Sequence, residues 1–200
     1  MYPRGSCFLI VAPYLSLFHL MILPLPTQNT SLTDYGKLQK DGQVSIKAHE
    51  DRMSRQRHIF LFDKVLLICK AKGEDFRYKD ALDLSKYRVE DRDRGVGVDK
   101  WSHQFVLSEV NNHHAYTLYA KTREAKRKWI EAIKLALENT APPGSRTANH
   151  EFVLHTFKEP TYCSICQKLL HGIFFQGYRC NRTDMNVHKG CISKAAAERR

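Results

Sequence analysis

The sequence predicts a mainly β chain: a strand-built domain closed by one helix, then a small cysteine-rich module. Three observations predict it. Residues 34–121 hold short runs in which apolar and polar residues alternate, split by turn residues. The hydrophobic period then lengthens from two to about 3.6 between Arg123 and Glu138. Beyond it, His150, Cys163, Cys166, Cys180, His188 and Cys191 stand in the register H-x12-C-x2-C-x13-C-x7-H-x2-C. That interleaving of thiols and imidazoles is a metal-ligand spacing.

The strands follow one another along the chain. Val44 and Ile46 alternate with polar neighbours after a turn at Asp41-Gly42. Between Arg57 and Lys70, IFLFDKVLLIC gives two apolar runs split by Asp63-Lys64, a hairpin signal. Tyr78 to Leu84 and Tyr87 to Asp91 follow as strands, and Arg92 to Lys100 as a charged loop. Gln104 to Ser108 and Tyr116 to Ala120 alternate again. In the helix, Ala125, Trp129, Ala132, Ile133, Ala136 and Leu137 share one face. Thr122 is its N-cap, and Asn139 with Pro142-Pro143-Gly144 stops it. Lys126, Arg127, Lys128 and Lys134 are placed on its solvated side, and Trp129 in the core.

Two hundred residues, 42% hydrophobic and 26% charged, leave room for two small domains with cores. The expected boundaries are 31–140 for the strand domain, 141–149 for a linker and 150–200 for the cysteine-rich module. Residues 1–30 stand apart, because no charge occurs from Gly5 to Pro26. That stretch looks like a signal peptide or short anchor, but Pro13, Pro24 and Pro26 interrupt it and no small-residue cleavage site follows. The competing expectation is a gene-model artefact. A net charge of +11 favours an anionic partner. Nucleic acid is not expected, since neither finger spacing nor an aromatic RNA-binding motif is present. Neither is catalysis, because no nucleophile–base constellation stands out and a saturated zinc site leaves no position for water.

The cysteine register, with Phe152, Phe157, Pro160-Thr161, Leu169-Leu170, Gly172, Gln176-Gly177 and Val187, resembles the zinc-binding phorbol-ester/diacylglycerol-type domain. The resemblance implies two interleaved sites. One is complete here: Cys163, Cys166, His188 and Cys191. The other keeps only His150 and Cys180, because Thr183 and Arg199 stand where the family has cysteines. A hydroxyl is a poor zinc ligand and a guanidinium none at all. One firmly held zinc is therefore expected, with the second site lost or weak. His171 stands where lipid-binding members carry a large apolar residue, so diacylglycerol is not an expected ligand.

Strands followed by one amphipathic helix resemble a pleckstrin homology (PH) domain, in which a bent antiparallel barrel is closed by the helix. The family's phosphoinositide motif is matched by Lys47-x7-Arg55-x-Arg57, with Lys70, Lys72, Arg77 and Lys79 on the next loop extending a basic rim. The stretches DGQVSIKAHEDRMSRQRHIFLFDKVLLICK, KWSHQFVL, YAKTREAKRKWIEAI and HEFVLHTFKEPTYCSIC together resemble the Vav exchange factors for Rho-family GTPases. That resemblance implies a non-catalytic regulatory and membrane-proximal module in intracellular signalling. Its implied partners are an anionic membrane lipid, a Dbl homology domain and a Rho-family GTPase. The Dbl homology domain performs the exchange, and residues 1–30 are too few to hold it, so this chain is not expected to catalyse exchange. The implied location is the cytoplasm, with recruitment to the plasma membrane. The alternative reading is a stand-alone zinc-containing lipid-binding adaptor.

Overall fold

The computed structural model describes residues 32–73, 75–92, 103–111, 114–172 and 174–197. The apolar N-terminal stretch, Cys7, nearly all of the charged loop from Arg92 to Lys100, and Arg199 lie outside them.

Seven strands form one antiparallel sheet: β1 (Leu38–Ala48), β2 (Arg55–Phe62), β3 (Val65–Lys72), β4 (Asp75–Asp83), β5 (Tyr87–Asp91), β6 (His103–Glu109) and β7 (Ala115–Ala120). Their order is β4-β3-β2-β1-β7-β6-β5. Helix α1 (Arg123–Thr140) follows. One core joins Val44 and Ile46 of β1, Ile59 and Leu61 of β2, Leu66 and Ile68 of β3, and Phe105, Leu107 and Leu118 across β6 and β7. Trp129, Ile130, Ile133 and Ala136 of α1 complete it. The sheet thus wraps around one apolar interior that the helix closes, as burial of the α1 stripe requires.

The β2–β3 hairpin turns at Asp63-Lys64 as the sequence predicts. Its apolar runs are continuous because both faces are covered. Ile59 and Leu61 face the main core, while Phe60, Phe62, Leu67 and Cys69 form a second buried cluster with Tyr35. Burial on both faces erases the alternation that marks a one-sided strand.

Three expectations are corrected. Asp41-Gly42 is not a turn: β1 runs straight through it. Gly42 keeps the strand going at φ +151°, an angle that residues with a side chain rarely adopt, and a Cβ there would make only ordinary contact with Trp129 Cζ2 at 3.4 Å, so glycine is required by the backbone rather than by space. Lys126 is not on the solvated side; it is buried, and its ammonium meets Asp91 at 2.5 Å. Its long stem covers apolar surface while the charge is paired. Asn139 does not stop α1 but lies in its last turn. Thr122 does cap the start, its hydroxyl accepting from Ala125 N at 3.0 Å, worth about 1 kcal/mol.

Residues 141–149 lead into a three-stranded sheet, β8 (Phe152–His155), β9 (Gly177–Cys180) and β10 (Asn186–Val187), in the order β10-β9-β8. A 3-10 turn, Lys189–Cys191, and the short helix α2 (Ile192–Ala197) close the module. Its core is small: Phe152, Leu170, Tyr178, Val187, Ile192 and Ala195 pack around the thiols of Cys163 and Cys180.

Gly36 supplies a test of the packing where the chain enters β1. It has φ +96°, and a Cβ there would lie 2.5 Å from Asp63 Cβ. Gly36→Ala therefore combines backbone strain with a collision against buried backbone-linked atoms. The expected loss is about 2–4 kcal/mol, read by chemical denaturation.

Candidate metal centre and anion-binding face

Cys163 and Cys166 lie on a tight knuckle. Gln167 N donates to Cys163 O at 2.9 Å and Cys163 N to Lys168 O at 2.9 Å. Gln167 completes the turn with φ 58°. From the other side, β10 delivers His188, and the following 3-10 turn delivers Cys191. The four ligand atoms of Cys163, Cys166, His188 and Cys191 all lie within 4.8 Å of one another. His188 Nε2 sits 3.2 Å from Leu169 O, and Nδ1 sits 3.3 Å from Cys166 Sγ. Donation from Nε2–H to that carbonyl leaves the Nδ1 lone pair aimed at the sulfurs, as a ligating imidazole needs.

The thiols are electrostatically unequal. Burial alone would raise Cys163, but N–H groups of Cys166, His188 and Ile165 and the His188 ring hold it down at about 6. Burial and the sulfurs of Cys163 and Cys166 push Cys191 up to about 11. Three sulfurs this close ionise together only against a cation. Three thiols and one imidazole at this spacing suit tetrahedral zinc.

The second predicted set also converges in part. His150 Nδ1 lies 3.6 Å from Cys180 Sγ and 3.4 Å from Thr183 Oγ1. The backbone here repeats the first knuckle: Asp184 N donates to Cys180 O at 3.0 Å, Cys180 N to Met185 O at 2.9 Å, and Asp184 has φ 56°. Thr183 thus occupies the position that Cys166 holds in the first knuckle. Burial would raise the Cys180 thiol, but the Thr183 hydroxyl, N–H groups of Glu151 and Arg182, and the His150 ring hold it down at about 6. The turn is built for a ligand pair, and one member is a hydroxyl.

The basic face differs from the sequence expectation. In the β1–β2 register Val44 faces Arg57 and Ile46 faces Arg55. Directly paired residues share a face and neighbours along a strand alternate. Arg55 and Arg57 therefore lie on the core-side face, whereas Lys47, next to Ile46 and paired with Thr117, lies on the reverse. The three cations do not converge. Lys70, Lys72, Arg77 and Lys79 are on strands rather than a loop. His58 pairs with Cys69 and Lys70 with Arg77. The same register carried one step sets Arg57 opposite Lys70. A row Arg57–Lys70–Arg77 then crosses β2, β3 and β4 on one face, with Arg55 and Lys72 beside it. Like charges directly opposed are unfavourable without an anion between them. Among the described residues Arg55 meets Asp51 at 3.8 Å, and Arg57 donates to Gln56 O at 2.8 Å. The sequence signal for this row was cross-strand register, which a one-strand motif does not carry.

On the cysteine-rich module, Gln176 ties two loops. Its Oε1 accepts from Phe157 N at 2.9 Å and its Nε2 donates to Phe157 O at 3.2 Å. Tyr162 and Phe174 are exposed.

Residues 32–136 match the model of the SOS1/NGEF-like PH domain, and residues 150–200 that of the phorbol ester/diacylglycerol binding domain, or C1 domain. Human "Proto-oncogene vav" is 39% identical over 173 residues, which is 86% of this chain and 20% of that protein. Drosophila melanogaster "Protein vav" is 40% identical over 172 residues, covering 82% and 22%. This chain thus spans about a fifth of the length of these relatives. An apo structure of an activated truncation of Vav1 superposes with a TM-score of 0.82 at 37% identity, covering 90% of this chain and 46% of that one. Both domains are matched in that single superposition. The chain belongs to the SOS1/NGEF-like PH domain family and carries a C1 domain behind it, in the arrangement of the Vav proteins.

Proposed function

We propose that this chain is the non-catalytic regulatory module of a Vav-type guanine nucleotide exchange factor for Rho-family GTPases. The observation that carries the reading is the PH–C1 pair itself, matched as one unit by Vav relatives. Its partners are a Dbl homology domain and, through that domain, a Rho-family GTPase. Its location is cytoplasmic with recruitment to the plasma membrane; among the described residues no helix is long and apolar enough to cross a membrane.

One zinc is held by Cys163, Cys166, His188 and Cys191. His150 and Cys180 are what remains of a second site. Metal analysis of the purified chain is expected to give one tightly held zinc. Two, both resisting a mild chelator, would overturn the reading of Thr183.

The anionic lipid contact is carried by Arg55 and Arg57 with Lys70 and Arg77, and not by Lys47. Each cation near an anionic surface contributes about 1 kcal/mol. Arg57→Ala with Lys70→Ala should lower pelleting with phosphoinositide vesicles about tenfold or more, while Lys47→Ala leaves it near wild type. Unchanged pelleting of the double variant would sink the site. The purified chain should not accelerate nucleotide release from a Rho-family GTPase, and measurable exchange would refute the regulatory reading.

A further inference from the structure

The junction between the two domains is a polar chain rather than an apolar seam. Asp63, in the β2–β3 turn, is buried. It accepts from Lys37 N at 2.7 Å, Gln39 Nε2 at 2.6 Å and Asn139 Nδ2 at 2.9 Å. Asn139 passes the connection onward. Its backbone carbonyl accepts from the Tyr178 hydroxyl at 2.6 Å, and its Oδ1 from Lys189 Nζ at 2.9 Å. Lys189 also meets Glu138 at 3.0 Å. Beside this chain the Lys64 ammonium lies 5.5 Å from the Phe175 ring centroid. An open cleft of about 310 Å³, bordered by Lys64, Leu154, His155 and Phe174, separates the domains further along.

We propose that Asn139, Tyr178 and Lys189 form an interdomain clasp that fixes the C1 module on the PH helix, and that the C1 metal centre sets the clasp. The module's two clasp residues come from the segment that the ligands fix. Lys189 lies between His188 and Cys191, and Tyr178 pairs across β9–β10 with Val187, next to His188. The structure around them is slight, a two-residue strand and a 3-10 turn. Such a segment depends on its ligands for its shape. Tyr178 and Lys189 reach Asn139 together only while His188 and Cys191 are held. Asn139 in turn is presented by α1 and anchored by Asp63, so the PH side is preset. The result is a C1 docking that exists only while the metal keeps the module folded, and that a partner touching both domains can read. This rests on the zinc assignment above and goes beyond it.

The test uses the full chain in four forms: zinc-loaded, chelator-treated, and zinc-loaded Tyr178→Phe and Tyr178→Phe/Lys189→Ala. Zinc content, small-angle scattering and hydrogen exchange across residues 135–141 are measured on each. The double variant is expected to keep its zinc and its circular dichroism. Its radius of gyration should rise, and amide exchange at the end of α1 should quicken about tenfold. Tyr178→Phe alone should show a smaller change in the same direction, which covers the case of a misfolded double variant. Chelation, which also unfolds the C1 module, should release the clasp, raise the radius further and quicken exchange at the end of α1 at least as much. If zinc-loaded variants keep the wild-type radius and exchange, the clasp is wrong. If chelation leaves both unchanged in a chain that did hold zinc, control by the metal is wrong. If no zinc is held at all, the metal reading fails, whereas the clasp still stands or falls on the variants.

Discussion

His188→Ala is expected to unfold residues 150–197 while the PH domain stays folded. The reason is the size of the C1 core. Six apolar side chains and two thiols form its buried centre, and a module of about fifty residues seldom folds on so little apolar burial. The stabilising term has to come from the metal, whose binding in small zinc domains contributes about 10–16 kcal/mol. Removing one of four ligands also strips Leu169 O of its imidazole donor and leaves three thiols crowded together. The PH domain has its own core from seven strands and α1, none of which passes through the metal centre. Thermal unfolding of the variant should therefore lose a zinc-dependent transition and keep the other. Amide exchange should become fast across β8, β9 and β10 and stay slow across β1 to β7. Cys163→Ser should act the same way. A variant in which residues 150–197 remain protected without zinc would show that the apolar core suffices.

Much of this was legible in the sequence because it rests on local periodicity and fixed spacing. The switch of period at Arg123 locates α1, and the ligand register locates the knuckles. What the sequence withheld is relational. Lys47 and Arg55 look equivalent in a motif, yet a pairing of Ile46 with Arg55 puts them on opposite faces. Lys126 looks like any outer-face lysine until Asp91 of β5 is seen beside it. Asp41-Gly42 has the composition of a turn, but pairing of Asp41 with Phe60 and Gly42 with Ile59 carries β1 through it, and that non-local ladder prevails over propensity. Thr183 is the opposite case. The sequence marks it as a lost ligand, whereas the backbone shows the ligand-bearing turn retained around it.

Asp63→Ala is expected to be among the most damaging single changes in the PH domain, although Asp63 touches no ligand. Its carboxylate ends three donors: the Lys37 amide at the start of β1, the Gln39 side chain and the Asn139 side chain. Alanine leaves all three without an acceptor in a place where water has little access. A buried donor left unpaired costs about 1–3 kcal/mol, so the total falls near 3–5 kcal/mol once the donors relax. Asp63→Asn separates geometry from charge. It retains one oxygen for Gln39 and Asn139 but turns an NH₂ toward Lys37 N–H, donor against donor. Its cost should lie between wild type and alanine, at about 1–3 kcal/mol. Chemical denaturation of the PH transition reads both, and equal stability of all three proteins would refute the hub. The consequence extends across the junction. With Asp63 gone the Asn139 side chain loses its anchor on the PH side, so the zinc-loaded alanine variant should also show faster exchange at the end of α1. Asp63 thus sits where the start of β1, the end of α1 and the C1 domain are tied to one turn, and its loss should loosen all three at once.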